Sequence, residues 1–413
     1  MLKGEIKKQS PKNLLLVFQI LALSLLLSYQ GRIADKRILT MVIGLILIIY
    51  LSNYLLTKIS SGDNYIFLIV TMLISIGIII IYRIDEGLGI KQLTWISLGI
   101  FLYFSVYFIV KKLKGLDRWL YLYIGLAYFL FMITFIFGNR KFGAINWVDF
   151  GGFAFQPGEI IKILLIFILA AYYSNIESWG KIKYSSYYMM ALIYSFIMLL
   201  FLQKDLGTAL VFYLIFAAIQ FIYEEDRKLI LYNIGLFLIS ASMGYLLFDH
   251  VKIRFQAWLN PWIYIERQGY QITQSLFAIA EGGFFGKGLG MGHPEFVPVV
   301  YTDFIFSAIC EEMGIFTGIG IIMLFMIFVY RGFKIAISQV NRFYRILALG
   351  ISILFGIQSF IILGGVLKMI PLTGLTLPFI SYGGSSILSS FIALAVLQVC
   401  SEDMGEDVDE EGN

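Results

Sequence analysis

Apolar residues in this chain come in long unbroken runs separated by short polar punctuation. The stretch "IFLIVTMLISIGIIIIY" (66–82) carries no charge at all. A helix needs about twenty largely apolar residues to cross about 30 Å of hydrocarbon. Twelve stretches are read as spans: 13–29, 38–56, 64–83, 93–110, 119–138, 158–174, 184–202, 205–222, 229–247, 303–330, 346–366 and 383–400. Membrane β-barrels show alternating segments of about ten residues instead. The expected fold is therefore all-α, a polytopic helical membrane protein with about twelve transmembrane helices.

The first run follows a basic flank, "MLKGEIKKQSPKN", with no small-residue cleavage site behind it and a second span at once. It reads as a retained anchor, not a signal peptide. The Lys/Arg bias of the short connections places the N-terminus in the cytoplasm, and an even number of spans returns the C-terminus there. The organisation that follows is a basic N-terminus (1–12), two leading spans (13–63), a core (64–400) with a large external loop (248–302), and an acidic tail (401–413).

Composition agrees: 59% of residues are hydrophobic and 14% charged, where a soluble domain carries about a quarter charged. The net charge of +4 comes from lysines flanking the spans and does not indicate a nucleic-acid surface. Two cysteines and two histidines form neither a disulfide framework nor a zinc pattern. "GGFFGKGLGMG" (282–292) is Gly-rich but lacks the Lys-Ser/Thr ending of a phosphate-binding loop.

The polar clusters are more informative once laid on this topology. "GAINWVDFGGFAFQPGE" (143–159), "QKDLGTA" (203–209), the 248–302 loop and "IPLTGLTLPFISYGGSS" (370–386) all fall on the external face. Non-helical backbone near a membrane needs protein or a water-filled cavity around it, so these segments are expected to line an outward cleft. Gln156, Glu159 and Lys162 share roughly one helix face; Glu159 and Lys162 are either a structural pair or participants in chemistry. Asp205 is either an N-cap or a cleft residue, and Ser381 and Ser385 belong either to a flexible turn or to a binding surface. "VPVVYTDFIFSAICEEMG" (297–314) brings three carboxylates to one span, although each ionised side chain costs roughly 2.5–3.5 kcal/mol to insert. Asp303 is expected at the helix start, facing the cleft. Glu311 and Glu312 are expected about 12–13 Å deeper along a continuous helix, with a positioning role. Trp147, Trp258 and Trp262 read as interfacial belt residues.

The chain resembles the SEDS (shape, elongation, division and sporulation) family, the group of RodA, FtsW and SpoVE. The resemblance rests on "GAINWVDFGGFAFQPGEIIK", "QKDLGTAL", "RFQAWLNPW…GYQITQSLFAIAEGGFFGKGLG", "YTDFIFSAICEEMG" and "PLTGLTLPFISYGGSS", in family order. It implies a ten-span core, here preceded by two extra spans. It also implies peptidoglycan glycosyltransfer: polymerisation of lipid II outside the cytoplasmic membrane, alongside a class B penicillin-binding protein. The family commonly has Ser at Gly158, Asp at Asn260, and Asn and Gly at Ile362 and Lys368; these departures point to a subfamily.

That chemistry needs a base at the membrane boundary and positive charge for a leaving diphosphate. Asp303 suits the first, a role typically worth about 10²–10⁴ in rate; a covalent nucleophile would need a second carboxylate close by. Arg254 suits the second, because a guanidinium binds phosphate in a bidentate manner. Lys162, Lys204 and Lys287 are weaker candidates. No cofactor is required; a divalent cation (Mg or Mn) between diphosphate and carboxylate suits the chemistry but no recognisable spacing encodes one. Precursor flipping and non-catalytic scaffolding remain the alternative readings.

Overall fold

The computed structural model describes residues 11–30, 36–141, 143–151, 153–179, 184–266 and 269–402. The expected N-terminal segment (1–12) and acidic tail (401–413) lie almost wholly outside these residues. The chain opens with α1 (Pro11–Gln30), α2 (Lys36–Ile59), α3 (Asn64–Ile84), α4 (Glu86–Lys112) and α5 (Leu120–Phe137). Three short strands follow, β1 (Gly138–Lys141), β2 (Ala144–Phe150) and β3 (Phe153–Phe155), and then α6 (Pro157–Ser174) and the single turn α7 (Ile176–Trp179). Next come α8 (Ser185–Leu202), α9 (Leu206–Tyr223), α10 (Arg227–Leu247), α11 (Asp249–Leu259) and α12 (Tyr270–Gly282). The last three are α13 (Ile305–Ser338), α14 (Arg342–Val366) and α15 (Gly384–Cys400).

Local sequence sets many of the boundaries. The carboxylates of Asp63, Asp85, Asp205 and Asp226 accept from amides in the first turns of α3, α4, α9 and α10, and Asn341 does the same for α14. Each such cap satisfies an amide that the helix itself cannot. Pro157 begins α6, where its missing N–H costs nothing. Among the described residues ten helices are long and apolar enough to cross a membrane. The two remaining expected spans correspond to α1 (20 residues) and to α15, which at 17 residues is slightly shorter than those ten.

Helices α3, α6, α14 and α15 form the centre, with α4, α5, α9 and α13 packed around them and α10 almost bare at the flank. The hairpin α1–α2 docks on α3 through polar contacts: Gln19 Nε2 donates to Ser75 Oγ at 2.8 Å, and Asn53 Nδ2 to Thr71 Oγ1 at 3.2 Å. Hydrogen bonds of this kind hold helices together where lipid removes the hydrophobic incentive.

The structure departs from the sequence reading in three places. The segment 143–159 is not a plain loop, since β1–β2–β3 form a small antiparallel sheet. The 248–302 loop contains two helices, α11 and α12. The third difference concerns Glu311 and Glu312. Helix α13 breaks at Gly314 (φ 83°, ψ 163°), so the two glutamates do not continue a straight helix into the bilayer.

Two ion pairs show where they lie. Antiparallel α3 and α13 are joined at one end by Arg331 and Asp63, with two nitrogen–oxygen contacts at 2.7 Å. At the other end Arg83 Nε stands 3.2 Å from Glu312 Oε1. Twenty residues separate Asp63 from Arg83 and nineteen separate Glu312 from Arg331. At 1.5 Å per residue both intervals are about 30 Å, the thickness of the hydrocarbon core. Glu312 therefore marks a boundary of the apolar layer, and α13 crosses that layer between its break at Gly314 and Arg331.

The break is filled by other backbone. A continuous helix would bond the amides of Ile315 and Phe316 to the carbonyls of Glu311 and Glu312. Instead Ile315 N donates to Gly283 O (3.0 Å) and Phe316 N to Phe284 O (3.1 Å). The freed carbonyls accept from Lys287 N (2.9 Å) and Gly288 N (3.0 Å). A Cβ at Gly314 would collide with the carbonyl of Phe284, and its positive φ disfavours any side chain. Gly314→Ala is expected to cost about 1–3 kcal/mol, seen as a lower unfolding temperature in detergent. Gly320→Ala, with nothing near its added methyl, should leave that temperature unchanged or raise it.

Candidate functional site

Asp205 anchors the first half of the site. Its Oδ1 caps α9 through Thr208 N (3.1 Å), while Oδ2 accepts from Asn146 Nδ2 (2.7 Å) and, at the limit of hydrogen bonding, Gln156 Nε2 (3.5 Å). The cap reading and the cleft reading of Asp205 thus describe one carboxylate with two jobs. The sheet is held to the turn before α9 by Ile145 N donating to Gln203 O at 2.9 Å. Gln156 N donates to Ser385 Oγ (3.1 Å), which connects the start of α6 to the start of α15.

One helical turn further into α6, Glu159 and Lys162 pair at 2.9 Å. Both are sealed, at 6% and 2% exposure. Lys162 Nζ also donates to Gln358 Oε1 (3.1 Å), and the second oxygen of Glu159 accepts from Ser389 Oγ (2.9 Å). A buried ion pair is tolerable when its remaining valences are met, and here α14 and α15 meet them. Gln358 Nε2 in turn donates to Thr376 O at 3.0 Å, which brings the buried pair into contact with segment 370–386.

That segment is the hub. Arg254, from α11, donates through Nη1 to Thr373 O at 2.8 Å, and Trp258 Nε1 donates to Lys368 O at 3.1 Å. The next residue, Gly374, has φ +74°; a Cβ built there would stand 3.1 Å from Arg254 Nη2 and 3.6 Å from Asp303 Oδ2. Absence of a side chain at Gly374 therefore leaves a narrow opening, tight even for a methyl toward Arg254, that borders both the guanidinium and the carboxylate. Burial pushes the Asp303 carboxyl above the ordinary range, against the opposing pull of Thr302 and of Arg254. Burial also lowers Arg254, and the charges of Asp303 and Asp205 oppose it.

Asp303 is held from behind. Ser381 Oγ donates to Thr302 O (2.6 Å) and accepts from Leu377 N (3.0 Å), while Tyr382 N donates to Tyr301 O (2.8 Å). Ser381 is 3% exposed, and Gln92 of α4 grips its carbonyl at 3.2 Å. Glu311 and Glu312 hold a different loop: Glu311 Oε1 accepts from His293 N (2.6 Å) and Glu312 Oε2 from Gly290 N (3.0 Å). Arg83 completes this cradle with Nη2 on the carbonyls of Gly290 (3.0 Å) and Gly292 (3.2 Å). Lys287 sits on that side of the loop, paired with Glu281. Asp205, Gln156, Ser385, Arg254, Asp303 and Ser381 are thus linked through segment 370–386, whereas Lys287 is engaged elsewhere.

Beside the hub lies an apolar cavity of about 870 Å³ between α8, α9 and α10. Phe201, Leu210, Tyr213, Phe237 and Tyr245 are among its walls, and Arg254 and Thr373 stand at its polar end. The small residues Ala241 and Gly244 give α10 a thin inner face there. Asn146, Gln358, Ser389 and Gln92 do not stand out in sequence, each being a single polar residue whose role depends on which faces meet.

The family model for cell cycle proteins of the FtsW, RodA and SpoVE type matches residues 66–404. The peptidoglycan glycosyltransferase RodA of Mycobacterium leprae is 34% identical over 352 residues, covering 80% of this chain and 75% of that protein. Stage V sporulation protein E of Bacillus subtilis is 32% identical, covering 83% of this chain and 97% of its own. The crystal structure of Thermus thermophilus rod shape determining protein RodA matches with a TM-score of 0.62 at 24% identity, over 83% of this chain and 97% of that one. A chain from a peptidoglycan synthase complex that coordinates polymerization and crosslinking matches at 0.67 with 25% identity, over 82% and 97%. The shared architecture and the match across the core make the chain a member of the FtsW/RodA/SpoVE (SEDS) family of multi-pass membrane proteins.

Proposed function

We propose that the protein is a peptidoglycan glycosyltransferase that polymerises lipid II on the outer face of the cytoplasmic membrane. The observation that carries this reading is Asp303 and Arg254 flanking Gly374 at the polar end of an apolar cavity. A polyprenyl tail fits the cavity, its diphosphate meets Arg254, and its disaccharide lies toward Asp303. With both termini cytoplasmic, as the Lys/Arg bias indicates, this face is external.

In the reaction the GlcNAc 4-hydroxyl of one molecule attacks the MurNAc anomeric carbon of another. Asp303 takes the hydroxyl proton as the new C–O bond forms. The anomeric carbon's bond to diphosphate breaks, and the electron pair leaves on the diphosphate beside Arg254. Direct displacement inverts the anomeric centre. Ser381 sets the position of Asp303 through Thr302, and Asp205 orders Asn146 and Gln156 at the edge of the opening. Glu159 and Lys162 lock α6 to α14 and α15 beneath them, while Glu311 and Glu312 hold the 288–293 loop. A divalent cation (Mg or Mn) would be held by Asp303 or Asp205 together with the diphosphate, since among the described residues no three His, Cys, Asp or Glu cluster. Such an ion commonly draws its ligands from phosphate and water, and would supply further charge for the departing group. The partner in cells is a class B penicillin-binding protein, which crosslinks the strands.

Purified protein, with a co-expressed class B penicillin-binding protein, should form glycan strands from lipid II. Asp303→Asn should lower turnover by at least about 10²-fold with the fold and the complex intact. Unchanged turnover would refute the base, and no polymer from wild type would favour transport or scaffolding. Because burial holds Asp303 protonated to higher pH, wild-type turnover should fall on acidification above the ordinary aspartate value of about 3.9. Ser381→Ala should reduce kcat about tenfold, a loss of about 1.4 kcal/mol, with KM unmoved. A change confined to KM would make Ser381 a substrate contact instead.

A further inference from the structure

Neither the sequence reading nor the mechanism above uses His250, yet it lies beside the cavity. Four residues separate it from Arg254 on α11, which puts both on one helix face. Between and beyond them, Val251 and Phe255 line the cavity. The His250 ring packs on Phe248 (centroids 5.5 Å apart), and Phe248 packs on Phe201 (6.0 Å), itself a wall of the cavity. Lys204, in the turn between α8 and α9, is near enough for its charge to act on His250. The Lys204 backbone is left-handed (φ 61°) and its amide is bonded to Phe201 O at 2.9 Å.

We propose that His250 is a third, titratable member of the diphosphate seat, acting with Arg254 and Lys204 at the mouth of the apolar cavity. The inference rests on the lipid-diphosphate reading of that cavity. Burial lowers the imidazole from its ordinary value, and the charges of Arg254 and Lys204 lower it further; Asp249 opposes them. Asp249 is a weak counterweight, since its side chain is exposed and paired with Lys252 at 3.4 Å. Helix α10, packed on α11, has no charged residue between Lys228 at its far end and Leu247, and the facing segment 368–373 contributes only Lys368. The charges of Arg254 and Lys204 thus act on His250, Asp205 and Asp303 offset that of Arg254 in part, and an anion seated beside the α11 face would relieve the remaining repulsion. The chemical class that suits both this seat and the apolar cavity is a lipid-linked diphosphate.

The sign follows from linkage. Without the anion His250 is neutral at neutral pH, because its affinity for a proton is depressed. A bound diphosphate restores that affinity, so binding takes up a proton and strengthens as pH falls. Each unit by which the diphosphate raises the imidazole is worth up to a tenfold gain in affinity.

The test is equilibrium binding of lipid II to the full chain at pH 5.5, 6.5, 7.5 and 8, with undecaprenol as the uncharged control. Lipid II suits this because its disubstituted diphosphate does not titrate in that range. Wild type should bind lipid II several-fold to about tenfold more tightly at pH 5.5 than at 7.5. His250→Gln should lose most of that gain, and His250→Lys should bind at pH 7.5 about as tightly as wild type does at 5.5. Any slope from Asp303 is common to all three, so the difference between them belongs to His250. Equal slopes in wild type and His250→Gln would overturn the inference while leaving the proposed function standing. Lipid II binding no better than undecaprenol in wild type would overturn both.

Discussion

A backbone amide or carbonyl left unpaired in hydrocarbon costs several kcal/mol, and this protein builds its site from backbone that is not helical. The break at Gly314 shows how the demand is met. Two hydrogen bonds of α13 are opened, and residues 283–288 supply replacements for all four freed groups. Segment 370–386 is treated differently, because side chains and not a second strand satisfy it. Arg254, Gln358, Gln92 and Ser381 each take a backbone group of that segment or of the turn before Asp303, and Trp258 holds Lys368 just ahead of it.

Those anchors come from α4, α11, α14 and the segment itself, so the opening between Arg254 and Asp303 is fixed by many weak ties. Two layers support it. Near the opening, Asp205 gathers Asn146 and Gln156; beneath it, the sealed Glu159–Lys162 pair joins three helices. The division suits a site that must leave room for a bulky lipid-linked substrate, since the rigid elements lie on the protein side and the cavity on the flank.

Much of the architecture was legible because apolar run length is a direct readout of membrane crossing, and span parity alone puts four polar segments on one face. The small sheet was not legible, as its strands are only three to seven residues long and the turns between them carry the glycines that punctuate the segment. Sequence alone places Glu311 and Glu312 too deep for a physical reason: the apolar run reads as one continuous helix, and the partner that satisfies a break lies some thirty residues upstream in sequence. Asp303 and Arg254 stood out by charge and position. Gln358, Ser389, Asn146 and Gln92 could not, because a lone polar residue in an apolar helix gains meaning only from the helix opposite. His250 does not stand out either, since a solitary histidine matches no metal or catalytic spacing.

The paired ions at the two ends of α3 and α13 have a mechanical consequence. They fix a span of about 30 Å within the centre of the molecule, where the surrounding helices cannot slide past one another. Helix α10 is tied to α8 and α9 near one end only, where Asn233 donates to Gln220 and accepts from Tyr194, and most of its side chains face outward. A transmembrane helix under hydrophobic mismatch tilts or bends at a cost of only fractions of a kcal/mol per Å, so a thicker or thinner bilayer is accommodated first by α10. Since α10 is one wall of the cavity, a change in its tilt alters the width of that cavity while the spacing around Asp303 stays as the core has set it.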